Sequence, residues 1–364
     1  MFKSFMWMAA VVSIVTLNGC GAMPETPNIG VQEQPEVYYI HEDELIRQQL
    51  GQKPEALLTL PDMGEVRDAL KIEETIFILR ERGLQKVSVA DKSIDLVAQF
   101  PEAISRGLLS AAANHEMLIY SVDERVEIYH LGRQTTSEVF SEPGFGFFAP
   151  LGLSTDGEVL YLVPVSGDPE FPNICLVNLP NGEVTVISIG IGLGAALSPN
   201  SRYLATTAIR THPTPSFVGE LQYGINLFDL LSEPPPEYEW DQFEVLFEPP
   251  TGAILTLPHS PSHPVGLEWS FDSQWVYFLL RPGKPWEEPT TSYGLWRLDV
   301  ELETFSQVAE IDNPAMRLVG ITPDGEWVLL RPEVEGSIDL VHIPTGKSET
   351  MLLPPEPIVL VRWR

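Results

Sequence analysis

The chain has 364 residues and carries 22 Lys and Arg against 51 Asp and Glu, a formal charge of −29 at pH 7. A polyanion of this size is repelled by phosphate backbones and anionic lipid surfaces, which excludes nucleic acid as a partner. A hydrophobic content of 44% excludes general disorder, because there is ample apolar material to bury a core.

The first element is a leader. Lys3 supplies a positive end, and residues 5–17 form an apolar run interrupted only by Ser13 and Thr16. The run is shorter than the roughly 20 apolar residues of a spanning helix, so cleavage of residues 1–19 is expected. Leu17-Asn18-Gly19-Cys20 follows at once and resembles the bacterial lipobox, with Asn18 where Ala or Ser is usual. An ordinary secretory signal with a chance Cys is the competing reading. The resemblance implies lipid attachment at Cys20 and membrane contact through that lipid alone. It also implies an extracytoplasmic place in a bacterial envelope, on the outer membrane of a two-membrane host or the outer face of a one-membrane host.

Residues 20–35 contain Pro24, Pro27 and Pro35 and no apolar period, which predicts a tether reaching ~50 Å at about 3.3 Å per residue. With Cys20 lipidated only Cys175 remains, so no intramolecular disulfide can form. Cys175 lies in the apolar run Asn173-Ile174-Cys175-Leu176-Val177-Asn178 and reads as a packing thiol.

From residue 36 to 364 one layout recurs: a short apolar strand, a turn carrying Asp or Asn, then an aromatic-rich strand. The turns centre on Asn114, Asp156, Asn200, Asp272 and Asp324, as in Leu197-Ser198-Pro199-Asn200-Ser201 and Ile321-Thr322-Pro323-Asp324-Gly325. Asp or Asn accepts nearby backbone N–H groups and Gly or Ser takes the tight position, so each unit begins with a hairpin. The spacings are 42, 44, 72 and 52 positions. The first two match the roughly 40–45 residues of a four-stranded propeller blade, and the others imply insertions.

Two upstream stretches, 37–60 and 75–100, fit without the turn signature and bring the units to seven. An all-β, seven-bladed β-propeller is therefore expected, with six or eight blades as the fallback. Residues 357–364 look like an innermost strand without a following turn, whereas the unit at Val37 lacks one. The C-terminal strand is thus expected to join the first blade and close the ring, which removes sheet edges. Only residues 42–50 and 101–113 could be drawn as amphipathic helical turns, and neither sustains the period.

The turns at 197–205, 269–276 and 321–329 resemble the WD40-like (PD40-type) repeats of TolB-like propellers. That resemblance covers 107–364 clearly and 36–106 by pattern, and it implies a propeller that binds protein in the cell envelope. TolB carries a separate N-terminal α/β domain, for which residues 20–37 leave no room.

No Gly-x-Ser-x-Gly elbow is present, so peptidase activity of the propeller-capped kind is not expected. The pair His259 and His263 is flanked by Pro261 and Pro264, which exclude the helix that would align them on a metal; a solvated loop is expected there and no cofactor is implied. Asp156, Asp272 and Asp324 read as turn formers, and the acidic, proline-rich tract 233–241 as an exposed excursion. In three successive units the link between the second and third strand is long, over 165–172, 210–222 and 282–292. These links emerge on one face and bear Phe171, His212, Phe217 and Trp286, with Tyr223 and Tyr293 at the edges, a candidate binding rim. Folding of the same loops onto the propeller surface is the alternative. The function expected is a protein- or ligand-binding or scaffold module, its partner an envelope protein or extracellular ligand. The alternative is an envelope enzyme, a lyase or hydrolase on carbohydrate or peptide, using the central funnel.

Overall fold

Apolar residues alternating at a period of two, cut by short turns, give 29 strands and no helix among the described residues of the computed structural model. These are residues 34–141, 146–165, 173–188, 194–210, 222–231, 254–259, 262–283, 291–332, 336–354 and 358–363. The leader, Cys20, nearly all of the tether and the acidic tract 233–241 lie outside them.

The strands form seven sheets, each wound from the centre outward. The first blade holds β1 (Glu36–His41), β2 (Glu44–Gln49) and β3 (Glu55–Thr59), and its innermost strand is β28 (Ile358–Leu360). The second holds β4 (Val66–Ile72), β5 (Thr75–Arg80), β6 (Gly83–Ser88) and β7 (Ser93–Gln99); the third holds β8 (Gly107–Ala111), β9 (Met117–Val122), β10 (Arg125–His130) and β11 (Thr135–Ser141). The fourth is β12 (Phe147–Leu153), β13 (Val159–Val165), β14 (Asn173–Asn178) and β15 (Val184–Ser188). The fifth is β16 (Ala195–Leu197), β17 (Tyr203–Arg210), β18 (Gln222–Asp229) and β19 (Ile254–Thr256). The sixth is β20 (Ser262–Trp269), β21 (Trp275–Pro282), β22 (Gly294–Asp299) and β23 (Thr304–Ala309), and the seventh is β24 (Met316–Ile321), β25 (Trp327–Pro332), β26 (Ser337–His342) and β27 (Lys347–Leu352).

Successive side chains of a strand point to opposite faces, so a central strand feeds both neighbouring blades. In β5, Ile76 and Ile78 pack with Tyr38 and Leu57 of the first blade, whereas Phe77 and Leu79 pack with Leu118 and Tyr120 of the third. In β21, Val276 and Phe278 face Ala205 and Ile225 of the fifth blade, and Tyr277 and Leu279 face Val328 and Leu330 of the seventh. Such runs are therefore apolar throughout, and each fully buried Leu, Ile or Phe contributes about 1.5–3 kcal/mol. Outer strands cover nothing on one side: β7 and β11 are mostly exposed.

The repeated turn explains itself at the atomic level. The Ser154 hydroxyl donates to Asp156 and accepts from the Val159 amide (2.9 Å), while Asp156 accepts from the Glu158 amide (3.0 Å). The same bonds recur at Ser198, Asn200 and Tyr203, at Ser270, Asp272 and Trp275, and at Thr322, Asp324 and Trp327. The residue after the Asp or Asn is left-handed in all five turns: His115, Gly157, Ser201, Ser273 and Gly325 have φ of 55°, 76°, 55°, 60° and 71°.

One expectation needs correction. The second blade begins at Val66, not Thr75: β4 supplies its inner strand, and Glu73-Glu74 makes the turn without the signature. The stretches 42–50 and 101–113, which lack a sustained helical period, supply β2 and β8, in keeping with the all-β expectation. Closure occurs as expected, since β28 pairs antiparallel with β1, Ile358 opposite His41 and Leu360 opposite Tyr39. Beyond Val361 the chain does something further: β29 (Arg362–Trp363) pairs in parallel with β4, Arg362 opposite Leu70.

Candidate ligand channel and binding face

The innermost strands enclose a channel of about 440 Å³. Leu70 of β4, Leu109 and Ser110 of β8, Leu151 of β12 and Ala196 of β16 line one side of it. Glu268 and Trp269 of β20, Gly320 of β24, and Arg362 and Trp363 of β29 complete the wall. The mouth at the hairpin turns is edged by His115, Asn200 and Phe271.

The ladders of β4, β12, β20 and β24 with their neighbours each contain a bulge, the register shifting between Val66 and Asp68, Pro150 and Gly152, Val265 and Glu268, and Leu318 and Gly320. A bulge adds a residue and re-aims the side chains beside it. Glu268, the acidic residue lining the channel, and Asp68, which pairs with Arg362 of the wall, stand directly after one.

Asp68 is 7% exposed. Its Oδ1 accepts from the Ala69 amide at 2.9 Å, and its Oδ2 accepts from the Leu109 amide at 2.7 Å and from Arg362 Nη2. Arg362 Nη2 also donates to the Leu109 carbonyl at 2.9 Å. Arg362 lines the channel, with 37% of its side-chain surface accessible. Burial opposes the charge, but the Asp68 and Glu268 carboxylates outweigh it and hold Arg362 above its usual range. Ser110 donates its hydroxyl to the Leu151 carbonyl at 3.0 Å, and Trp269 donates its indole N–H to the Ala196 carbonyl at 3.0 Å. These bonds tie the third blade to the fourth and the fifth to the sixth across the channel wall.

The opposite face is asymmetric. The second and third strands are joined by Glu42 and Asp43 in the first blade, by Glu81 and Arg82 in the second and by Asp123 and Glu124 in the third. The corresponding links in the fourth, fifth and sixth blades occupy positions 166–172, 211–221 and 283–293. Phe171, His212, Phe217 and Trp286 lie outside the described residues. Tyr223 and Tyr293 come together at the junction of the fifth and sixth blades, packed into one apolar cluster. Tyr223 is only 6% exposed and its ring tilts against His263 at 6.0 Å, so it acts as packing there. Tyr293 is half-buried, with the His259 ring tilted against it at 4.7 Å, and its carbonyl accepts from Trp296 Nε1 at 2.9 Å. His263 does not sit on a solvated loop: it is 3% exposed, within β20, and its Nδ1 is 3.1 Å from the Gly283 carbonyl. Among the described residues no group of three or more His, Cys, Asp or Glu is placed to hold a metal.

Sequence reasoning passed over Asp68, Glu268 and Arg362. The available signal was a charged residue inside an otherwise apolar inner strand, as in Val359-Leu360-Val361-Arg362-Trp363 and Gly266-Leu267-Glu268-Trp269.

Seven sheets, six of four strands and the second of five through the added β29, wound around a lined channel, define a seven-bladed β-propeller. No protein-family model matches the chain, and none of the curated proteins matches it. Solved structures share its fold. An oligogalacturonate lyase in complex with manganese is 13% identical with a TM-score of 0.56, over 85% of this chain and 83% of that one. Hydrazine synthase from Kuenenia stuttgartiensis is 12% identical with a TM-score of 0.50, over 78% of each chain. TolB from Acinetobacter baumannii is 10% identical over 90% of this chain and 66% of its own, but its TM-score of 0.44 carries no argument. At such identities the likeness establishes the fold alone.

Proposed function

We propose that this chain is a lipid-anchored binding module of the bacterial envelope, held at Cys20 and engaging a protein or extracellular ligand through the face where the fourth, fifth and sixth blades carry their long second-to-third links. The observation that supports it is the asymmetry of that face, two-residue turns in three blades against the links at 166–172, 211–221 and 283–293 in the next three. Lengthening on one arc only is what a one-sided contact surface requires, since the ring itself is served equally well by two-residue turns. Phe171, Phe217 and Trp286 are the aromatic anchors on those links, and His212 lies among them. Cross-linking and mass spectrometry on the anchored protein in its native cells identifies the partner. Phe217→Ala and Trp286→Ala should then weaken its recovery by ~1–4 kcal/mol, the range of binding hot spots, with the melting transition nearly unchanged. Unfolding as severe as that of Trp275→Ala would make these aromatics packing elements and end the reading.

A second reading, a lyase or hydrolase acting on carbohydrate or peptide, draws on one observation: Glu268 and Arg362 border the same channel. Asp68 is bonded to three donors and serves as an anchor, which leaves Glu268 as the base in that scheme. Turnover that disappears in Glu268→Gln, with partner recovery intact, would favour the enzyme.

A further inference from the structure

We infer that the central channel is a binding site for a neutral saccharide, a function separate from the rim and independent of it. The channel, about 440 Å³, falls within the roughly 300–1,000 Å³ of small-molecule sites. Its one guanidinium stands between two carboxylates: Arg362 is paired with Asp68 and lies in the field of Glu268. An anionic ligand would meet that carboxylate field on approach, and a cationic one would meet the guanidinium. A neutral ligand meets neither cost.

The hydrogen-bonding character of the wall narrows the class. A guanidinium has five N–H groups, and Arg362 directs those of Nη2 to Asp68 and to the Leu109 carbonyl. Arg362 lines the cavity and more than a third of its side chain is accessible, so donors of the fork beyond Nη2 are within reach of a ligand there. Ser110, having donated its proton to Leu151, offers only acceptor capacity. Asn200 at the mouth accepts from Ser198 and the Arg202 amide on Oδ1, which turns its amide nitrogen into the free donor end. Donors and acceptors thus alternate around one cavity, which suits hydroxyl groups, each able to do both. Phe271 and Trp363 are half-buried and present aromatic surface to the same space, matching the C–H face of a sugar ring.

Tryptophan fluorescence reads the site directly, because Trp269 and Trp363 both line it. The intact protein is titrated with cellobiose, maltose, N,N′-diacetylchitobiose and, as the charged comparison, digalacturonate. The expected result is a saturable change with at least one neutral disaccharide and weaker binding of digalacturonate. Arg362→Lys, which keeps the charge opposite Asp68 but loses the fork, should weaken that binding roughly tenfold, about the loss of one charge-assisted hydrogen bond. Trp363→Leu, which retains an apolar residue at the β29 position, should do the same while the protein still folds, with a modest fall in melting temperature from the lost packing on the cluster around Ile358 and Leu360. Absence of saturable binding by every neutral sugar, preference for digalacturonate, or affinity that survives both substitutions would overturn the proposal. Neither result bears on the rim, whose test is recovery of a protein partner.

Discussion

Arg362 on the channel wall and the buried Asp68 stand 294 positions apart and form an ion pair at the seam where the ring closes. Through the Leu109 amide and carbonyl the same pair reaches the third blade, so one buried carboxylate ties the C-terminal strand and the second blade to the third. Asp68→Ala would leave the Leu109 N–H and the guanidinium without their acceptor. Removing one partner of a buried pair costs about 3–5 kcal/mol, and the lower part of that range is expected because the channel lets water reach Arg362. Urea unfolding measures it. A loss within about 0.5 kcal/mol of wild type, the level of an ordinary surface change, would show that the pair is incidental.

Removal of residues 358–364 tests closure as a whole. It strips Ile358, Leu360 and Val361, which are 7%, 8% and 1% exposed and each worth about 1.5–3 kcal/mol, and it bares the inner edges of β1 and β4. Size-exclusion chromatography should find aggregate or an opened ring. A monomer with an unaltered melting transition would reduce the segment to an appendage.

The left-handed turn position permits an opposed pair of substitutions. Ser201 has φ 55°, is 2% exposed, and its hydroxyl has no hydrogen-bond partner, so Ser201→Gly should raise stability by about 0.5–1 kcal/mol. Gly325 has φ 71°, and Gly325→Ala should lower stability by about 1–2 kcal/mol. Melting temperatures that move in the same direction for both would contradict the role assigned to this position.

Asp156 supplies a pH dependence. The Ser154 hydroxyl first, and the Glu158 amide second, hold its carboxyl below the usual aspartate range. A value depressed on folding means the carboxylate stabilises the fold above the ordinary Asp value of about 3.9, and that this contribution disappears as pH falls through the folded value. Asp156→Asn should therefore cost under about 1 kcal/mol at neutral pH, the group being exposed, and the gap to wild type should narrow in acid. Denaturation midpoints across the acid range check this; a gap independent of pH would mean the charge is immaterial to the turn.

Lipidation rests on the lipobox resemblance at Cys20. Metabolic labelling with a palmitate analogue should mark the wild-type protein and not Cys20→Ser, and equal labelling of the two would remove the anchor from the functional reading.

The blade order and the placement of five hairpins were legible from local chemistry. Each Asp or Asn turn binds backbone groups within a few positions, so its signal is written contiguously, as at Ser154 to Val159. The second blade's inner strand escaped notice because Glu73-Glu74 turns without that signature. The free ends of the repeat pattern also foretold closure by the C-terminal strand, since a missing inner strand at Val37 and a surplus one after residue 357 answer each other.

What only the tertiary structure decided is where the polar groups of the channel meet. Asp68 and Arg362 lie on neighbouring strands of the second blade's sheet, Leu109 in the third blade and Glu268 in the sixth, and nothing local in the sequence relates them. The switch of the chain at Val361 from the first blade to the second, which carries Arg362 to Asp68, depends on the inner strands converging around one axis. A hairpin is specified by bonds between near neighbours in the chain, whereas a channel is specified by the closure of the ring, which brings together residues that share no local signal at all.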